Sequence, residues 1–403
     1  MKPALVASAI ALSMSACAPH APGDDAARDG NDDAADLVAT DARDTALPEV
    51  LPPLGVYEVN VDGSGLQLLA DTGSQEITHV RRNPASDWMV GTRYTDDADN
   101  NGLAMELENP YGAYYLAAQI VLFRESDPAN VTVVAGGEAG KLCANASWTD
   151  DGALIYVHQD DPSNATATRL KRARFDTLPT ASTIDAVPLP AEFVLPSDPH
   201  QVGASDATGA IVFPAFVHDA SGWSHGVWRV TADGASAFAN ASLVGCPMCG
   251  TTCCTWPTPG EVLGATDPRV NHAGTTVFWM QQSPSVSFGS PPVHPFRQVA
   301  RTLSASLQND VPSPGIATTT SETFIEWRDD DGEGVYWTIE VEGGVLRQNL
   351  YRMSPDGSAR ARIELPNELC AFHPSYVAHD RVVFTAWHCA GTDCSCDVAR
   401  LSR

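Results

Sequence analysis

The chain is short of positive charge. Lys and Arg number 24 against 50 Asp and Glu in 403 residues, a formal net charge of −26. A field of that sign repels phosphate backbones, and no basic patch with interleaved aromatics interrupts it, so nucleic acid is not an expected partner. Long apolar runs are also missing, which leaves nothing to cross a bilayer as a helix. No segment keeps a helical period, and no Gly-rich phosphate cradle occurs. Charged residues are only 18% and hydrophobic ones 43%, enough apolar material for one large domain or two ordinary ones.

The N-terminus reads as an export signal. Lys2 supplies a short positive region, and Ala4 to Leu12 is apolar but too short to span a membrane. The stretch ends in Met14-Ser15-Ala16-Cys17, which resembles a bacterial lipoprotein cleavage box. That resemblance implies a signal peptide over 1–16, lipidation of Cys17 and, with Ala18 following, an outer-membrane lipoprotein facing the periplasm or the surface. The plainer alternative is an ordinary secretory peptide with an incidental cysteine. Residues 17–47 are rich in Asp, Ala and Gly, with almost no large apolar side chains. Such a segment cannot offset the entropy of ordering, so it is expected to be a disordered acidic tether. The folded domain is expected over 48–403.

That domain repeats itself. VYEVNVDGSGLQLL (Val56 to Leu69) returns as VWRVTADGASAFAN from Val227 and as LYRMSPDGSARARI from Leu350. Period-two alternation around Asp-Gly predicts a strand, a tight turn and a second strand. The Asp-Gly markers at Asp62, Asp233 and Asp356 suit units of about 57 to 62 residues. A second recurring unit lies between these copies: ANASWTDDGALIYVHQ from Ala144, ATDPRVNHAGTTVFWMQQ from Ala265 and AFHPSYVAHDRVVFTAWH from Ala371. Weaker relatives begin at Ile77, Val202 and Ser321. Each has a short first strand, a polar turn and an apolar run typical of a doubly buried strand. Six such units with four strands each predict an all-β, six-bladed β-propeller of four-stranded blades. Strands from both termini are expected to share one closing blade, with Cys396 to Leu401 as a further third strand.

The pattern apolar-Tyr/Trp-x-apolar-x-x-Asp-Gly, with Ser-Trp-x-Asp-Asp-Gly at Ser147 to Gly152, resembles the TolB-type propeller repeat over roughly 50–402. The resemblance implies the fold; the separate α/β domain that TolB carries before its propeller has no counterpart here.

Nine cysteines follow Cys17: Cys143, Cys246, Cys249, Cys253, Cys254, Cys370, Cys389, Cys394 and Cys396. In an exported protein these are disulfide candidates, with one left over. They are expected just before first strands or between second and third strands, on one face of the disc. The CPMCGTTCC cluster from Cys246 could instead be a zinc knuckle, but no second Cys-x-x-Cys stands at ribbon spacing. DADNNGLAMELE matches a calcium loop, with Asp97, Asp99, Asn101 and Glu108 as ligands and Gly102 permitting the bend. Calcium is therefore the one candidate cofactor; a solvated acidic loop is the bland alternative.

Catalytic signals are sparse. Gly222-Trp223-Ser224-His225-Gly226 matches a nucleophile elbow, but strand and hairpin follow where a helix is required. His79, His200 and His373 fall near the entries to first strands and are candidates to line a central channel. The expected role is non-enzymatic: a monomeric, lipid-anchored envelope scaffold that binds a protein or peptide. The alternative is a propeller enzyme, a metal-dependent polysaccharide lyase or a hydrolase, acting at the channel. A third is a structural envelope lipoprotein with no discrete ligand.

Overall fold

A computed structural model of the chain describes residues 51–96, 104, 117–137, 141–160, 168–189, 193–195, 204–205, 211–219, 222–231, 234–243, 265–273, 276–282, 296–302, 310–312, 320–328, 332–342, 345–355, 359–366 and 368–388. Among these, every regular element is a strand, and the fold is all-β.

The N-terminal hairpin is β1 (Leu54–Asn60) and β2 (Gln67–Gly73). Its turn is the first Asp-Gly marker. Ser64 N and Oγ both donate to Asp62 Oδ1, at 2.9 and 2.6 Å, and Gly63 takes a φ of 85°. That left-handed conformation favours glycine, and a Cβ there would also meet the Glu364 carbonyl at 3.0 Å.

Two antiparallel meanders follow. The first is β3 (Ile77–Arg82), β4 (Trp88–Tyr94), β5 (Ala118–Arg124) and β6 (Asp127–Gly136). The second is β7 (Leu142–Trp148), β8 (Leu154–Gln159), β9 (Thr168–Arg174) and β10 (Thr183–Ala186). One parallel bridge, Ala118 to Leu142, joins them into a single eight-stranded sheet. Next, β11 (Phe193–Val194) and β12 (Ala204–Ser205) both pair with β13 (Ile211–Asp219), which continues through β14 (Gly222–Thr231) to β15 (Gly234–Leu243). Two more four-stranded meanders are β16 (Ala265–Val270), β17 (Thr276–Gln282), β18 (Phe296–Thr302) and β19 (Asp310–Pro312), then β20 (Thr320–Trp327), β21 (Gly334–Glu342), β22 (Val345–Met353) and β23 (Arg360–Ile363).

The last strands, β24 (Leu369–Ala378) and β25 (Arg381–His388), join the N-terminal hairpin in the order β2-β1-β25-β24. Both ends of the chain thus build one sheet. Seven consecutive residue pairs align β1 with β25, from Leu54 and Trp387 to Asn60 and Arg381. Arg381 reinforces the seam: its Nη1 donates to both Glu58 carboxylate oxygens at 2.9 Å, and its Nη2 reaches Glu125 at 3.0 Å. β25 has β24 on one edge and β1 on the other; the third strand expected at Cys396 to Leu401 lies outside the described residues.

All six second-type units form the strand pairs expected of them: β3–β4, β7–β8, β12–β13, β16–β17, β20–β21 and β24–β25. The three Asp-Gly copies are the outer hairpins β1–β2, β14–β15 and β22–β23.

Apolar side chains then join each group of strands to the next. Val56 and Val383 pack with Val80 and Phe123, and Val90 and Leu122 with Leu154 and Tyr156. Val157 and Leu170 meet Ile211 and Phe213, and Val212 and Val227 meet Val277 and Trp279. Phe278 meets Ile325 and Tyr336; Val335 and Trp337 meet Tyr57, Phe372 and Phe384. Each fully buried side chain of this kind is worth about 1.5–3 kcal/mol relative to leaving it exposed.

Candidate functional site

Five first strands carry the same irregularity. In β3 the register passes from Thr78 opposite Thr92 to Arg81 opposite Val90, three residues against two. β7 does so between Ala144 and Ser147, β16 between Thr266 and Arg269, β20 between Thr323 and Glu326, and β24 between Phe372 and Ser375. One extra residue in each is a β-bulge, which bends the strand and re-aims the side chains around it. Three residues at the bulge adopt positive φ without being glycine: His79 at 51°, Asn145 at 59° and His373 at 48°. Left-handed backbone at a non-glycine residue stores strain, and such strain concentrates at functional positions.

The residues two places further on include Arg81, Arg269 and Glu326, and these three meet. Arg81 Nε and Nη2 donate to Glu326 Oε1 at 2.8 and 2.5 Å, and Arg269 Nε donates to the same oxygen at 2.7 Å. Arg81 Nη1 also donates to the Ala146 carbonyl at 2.6 Å, and Arg269 Nη1 to the Pro268 carbonyl at 3.0 Å. Side chains from β3, β16 and β20 thus share one carboxylate, with a β7 carbonyl beside it. Both arginines are buried, Arg269 to 2% exposure. Burial by itself would push the Glu326 carboxyl up. The Arg81 guanidinium and then that of Arg269 overcome this and hold it down at about 2.

Two histidines of the bulged strands also meet. His79 and His373 stack with ring centroids 3.8 Å apart and planes 21° from parallel. Thr78 Oγ1 and His373 Nδ1 share a hydrogen bond, and Trp337 stands edge-on to His373 at 5.6 Å. Two of the three channel candidates are therefore brought together; His200 lies outside the described residues. Arg81, Arg269 and Glu326 were not singled out from the sequence. The only shared signal is position: the residue after the bulge is Arg81, Ser147, Arg269, Glu326 or Ser375, polar in every case.

The other candidates fall as follows. Cys370 is disulfide-bonded, with its partner outside the described residues. Cys143 is a buried thiol, not half of a disulfide. Its Sγ lies 3.1 Å from His158 Nδ1, and His158 Nε2 lies 2.8 Å from Asp160 Oδ1. Both cysteines sit inside first strands, not in the loops before them, because the strands begin at Leu142 and Leu369. Cys246, Cys249, Cys253, Cys254, Cys389, Cys394 and Cys396 lie outside the described residues, as do Cys17, Asp97, Asp99, Asn101 and Glu108. The acidic loop does join a second strand, β4, to a third, β5. Ala104 in its middle is pinned: Glu76 N donates to its carbonyl at 2.9 Å and its own N donates to Ser74 O at 2.7 Å. Ser224 of the elbow-like motif sits mid-strand in β14, between Val217 and Leu243, so no strand-to-helix turn presents it. Among the described residues, no group of three or more His, Cys, Asp or Glu is placed to hold a metal.

No family model matches the chain, and no curated protein matches it. Solved structures do. An oligogalacturonate lyase from Vibrio parahaemolyticus aligns at a TM-score of 0.43 and 10% identity, covering 83% of this chain and 96% of that one. An oligogalacturonate lyase in complex with manganese aligns at 0.40 and 12%, covering 78% and 96%. The β-propeller domain of the Trilobed protease from Pyrococcus furiosus aligns at 0.37 and 11%, covering 74% of each chain. The substrates and the manganese belong to those proteins. What this chain contributes for itself is a polar cluster where five first strands converge.

Proposed function

We propose that the six strand-pair units form one ring of six four-stranded blades, closed by β24, β25, β1 and β2. In this reading the ring is exported, lipid-anchored at Cys17 to the outer membrane, and monomeric. It binds a protein or peptide of the cell envelope as a non-catalytic scaffold. The observation that carries the reading is the use made of the ionisable groups at the convergence point. Three hydrogen bonds from two guanidiniums fall on one oxygen of Glu326. A carboxylate held at about 2 is a poor proton acceptor at neutral pH, where general bases work best with values near the ambient pH. Ion pairs that bridge separate strands instead brace a rigid platform, and rigid platforms with variable loops suit recognition. The Asp97-to-Glu108 loop, anchored at Ala104, is proposed as a calcium loop on the recognition face.

The rival reading, a lyase or hydrolase using a divalent metal, draws on one observation: His79 and His373 are adjacent and both held in left-handed backbone. One experiment separates them. The detergent-solubilised full chain is used for affinity capture from envelope extracts, and any stoichiometric partner is then purified and titrated against it. In parallel the chain is incubated with acidic oligosaccharides and divalent metals. A saturable binary complex with no turnover is expected. Oligosaccharide cleavage that disappears in His373→Ala overturns the scaffold reading.

A further inference from the structure

The ion cluster is not symmetrical, and its asymmetry leaves two hydrogen-bonding positions open. All three N–H groups that reach Glu326 use Oε1. Among the described residues Oε2 accepts nothing, although its side chain is 18% exposed while the Arg269 side chain is only 3% exposed. Arg269 spends Nε on Glu326 and Nη1 on Pro268, and its buried Nη2 makes no hydrogen bond. A buried guanidinium N–H without an acceptor is costly, and native structures normally fill such a position with water or a ligand. One ion pair therefore leaves a cationic donor on Arg269 and an anionic acceptor on Glu326 without a partner among the described residues.

The pairing selects among ligand groups by simple complementarity. A carboxylate satisfies Arg269 Nη2 but is repelled by Oε2. An ammonium satisfies Oε2 but is repelled by the guanidinium. A carboxamide satisfies both, its oxygen accepting from the arginine and its N–H donating to the carboxylate, on two atoms held in one plane. We infer that the meeting point of Arg269 and Glu326 is a carboxamide-binding position, into which the partner inserts an Asn or Gln side chain. This rests on the proposed peptide-binding role and names the chemistry it recognises.

The test uses the full chain in detergent and small probes, so it does not depend on identifying the partner. N-acetylglutamine N-methylamide, N-acetylglutamate N-methylamide and glycerol are titrated by calorimetry and thermal melting. The expected result is saturable binding of the glutamine probe, at least about tenfold tighter than the glutamate probe, the discrimination set by leaving one buried polar group unpaired. Glu326→Gln removes the repulsion and is expected to erase or reverse that preference, while Arg269→Met is expected to abolish binding of both probes. Should either variant fail to fold, the comparison of probes on the native chain decides alone. Equal binding of the two peptide probes, glycerol binding as well as the amide, or no saturable binding at all (a water-filled position only) overturns the inference. A captured partner that binds normally while the probes fail would sink this inference and leave the scaffold reading standing.

Discussion

Arg174 and Asp185 lie 2.8 Å apart on the outer strands β9 and β10, and Arg269 and Glu326 lie 2.7 Å apart where the first strands converge. The chemistry and the distance are nearly the same; the surroundings are not. The outer side chains are 49% and 59% exposed, the inner ones 3% and 18%. Water screens the outer pair, so its two charges gain little by meeting. The inner charges have lost their hydration, and only the full set of contacts offsets that loss. Distance alone therefore says little about what an ion pair does. Exposure and the number of shared hydrogen bonds decide it.

The comparison breaks most visibly at Glu326. Glu326→Ala leaves two buried guanidiniums facing each other and is expected to cost about 3–5 kcal/mol in urea unfolding. Replacing all three residues at once, as Arg81→Met with Glu326→Leu and Arg269→Met, is expected to be neutral or stabilising by comparison with the single variant. If the single variant unfolds no more easily than the native chain, the inner cluster is no different from the outer pair. Acid titration is the next largest effect. The folded carboxyl sits at about 2 against an ordinary 4.5, so its contribution is complete above 4.5 and is lost as pH falls towards 2. That difference corresponds to about 3 kcal/mol. Unfolding followed from pH 5 to 2 should show this slope, and Glu326→Gln should lack it.

The seam between the chain ends is intermediate. Arg381 is 34% exposed but bonds Glu58, which is 4% exposed. Arg381→Ala is expected to cost about 1–2 kcal/mol, read by thermal or urea unfolding, a value between buried and exposed pairs. Smallest of all, Arg174→Ala is expected to shift stability by less than about 0.5 kcal/mol. A loss as large as that at Arg381 would show that exposure is not the deciding variable.

Much of the strand order was legible in advance because it is local. Asp62-Gly63 closes β1 onto β2 through a side chain two residues away, and the run Leu154 to Val157 forms β8 because alternating faces are both covered. The sharing of one sheet by both ends was legible too, since a hairpin without its inner strands has to find them elsewhere. The edge of β25 is taken by the N-terminal strand β1, a pairing made between residues more than 300 apart in the chain. His79 and His373 were legible as neighbours of first-strand entries, but not as a stacked pair. Arg81 and Glu326 were not legible as partners at all: 245 residues separate them.

The amino-acid order by itself determined the strands, the turns and the repeat, because alternation, Asp-Gly chemistry and β-branched runs act over a few residues. The tertiary structure decided which charges meet. Only when the bulged first strands are brought to one place does a carboxylate from β20 lie between guanidiniums from β3 and β16, and only burial there makes the choice of protonation state and hydrogen-bond partner matter.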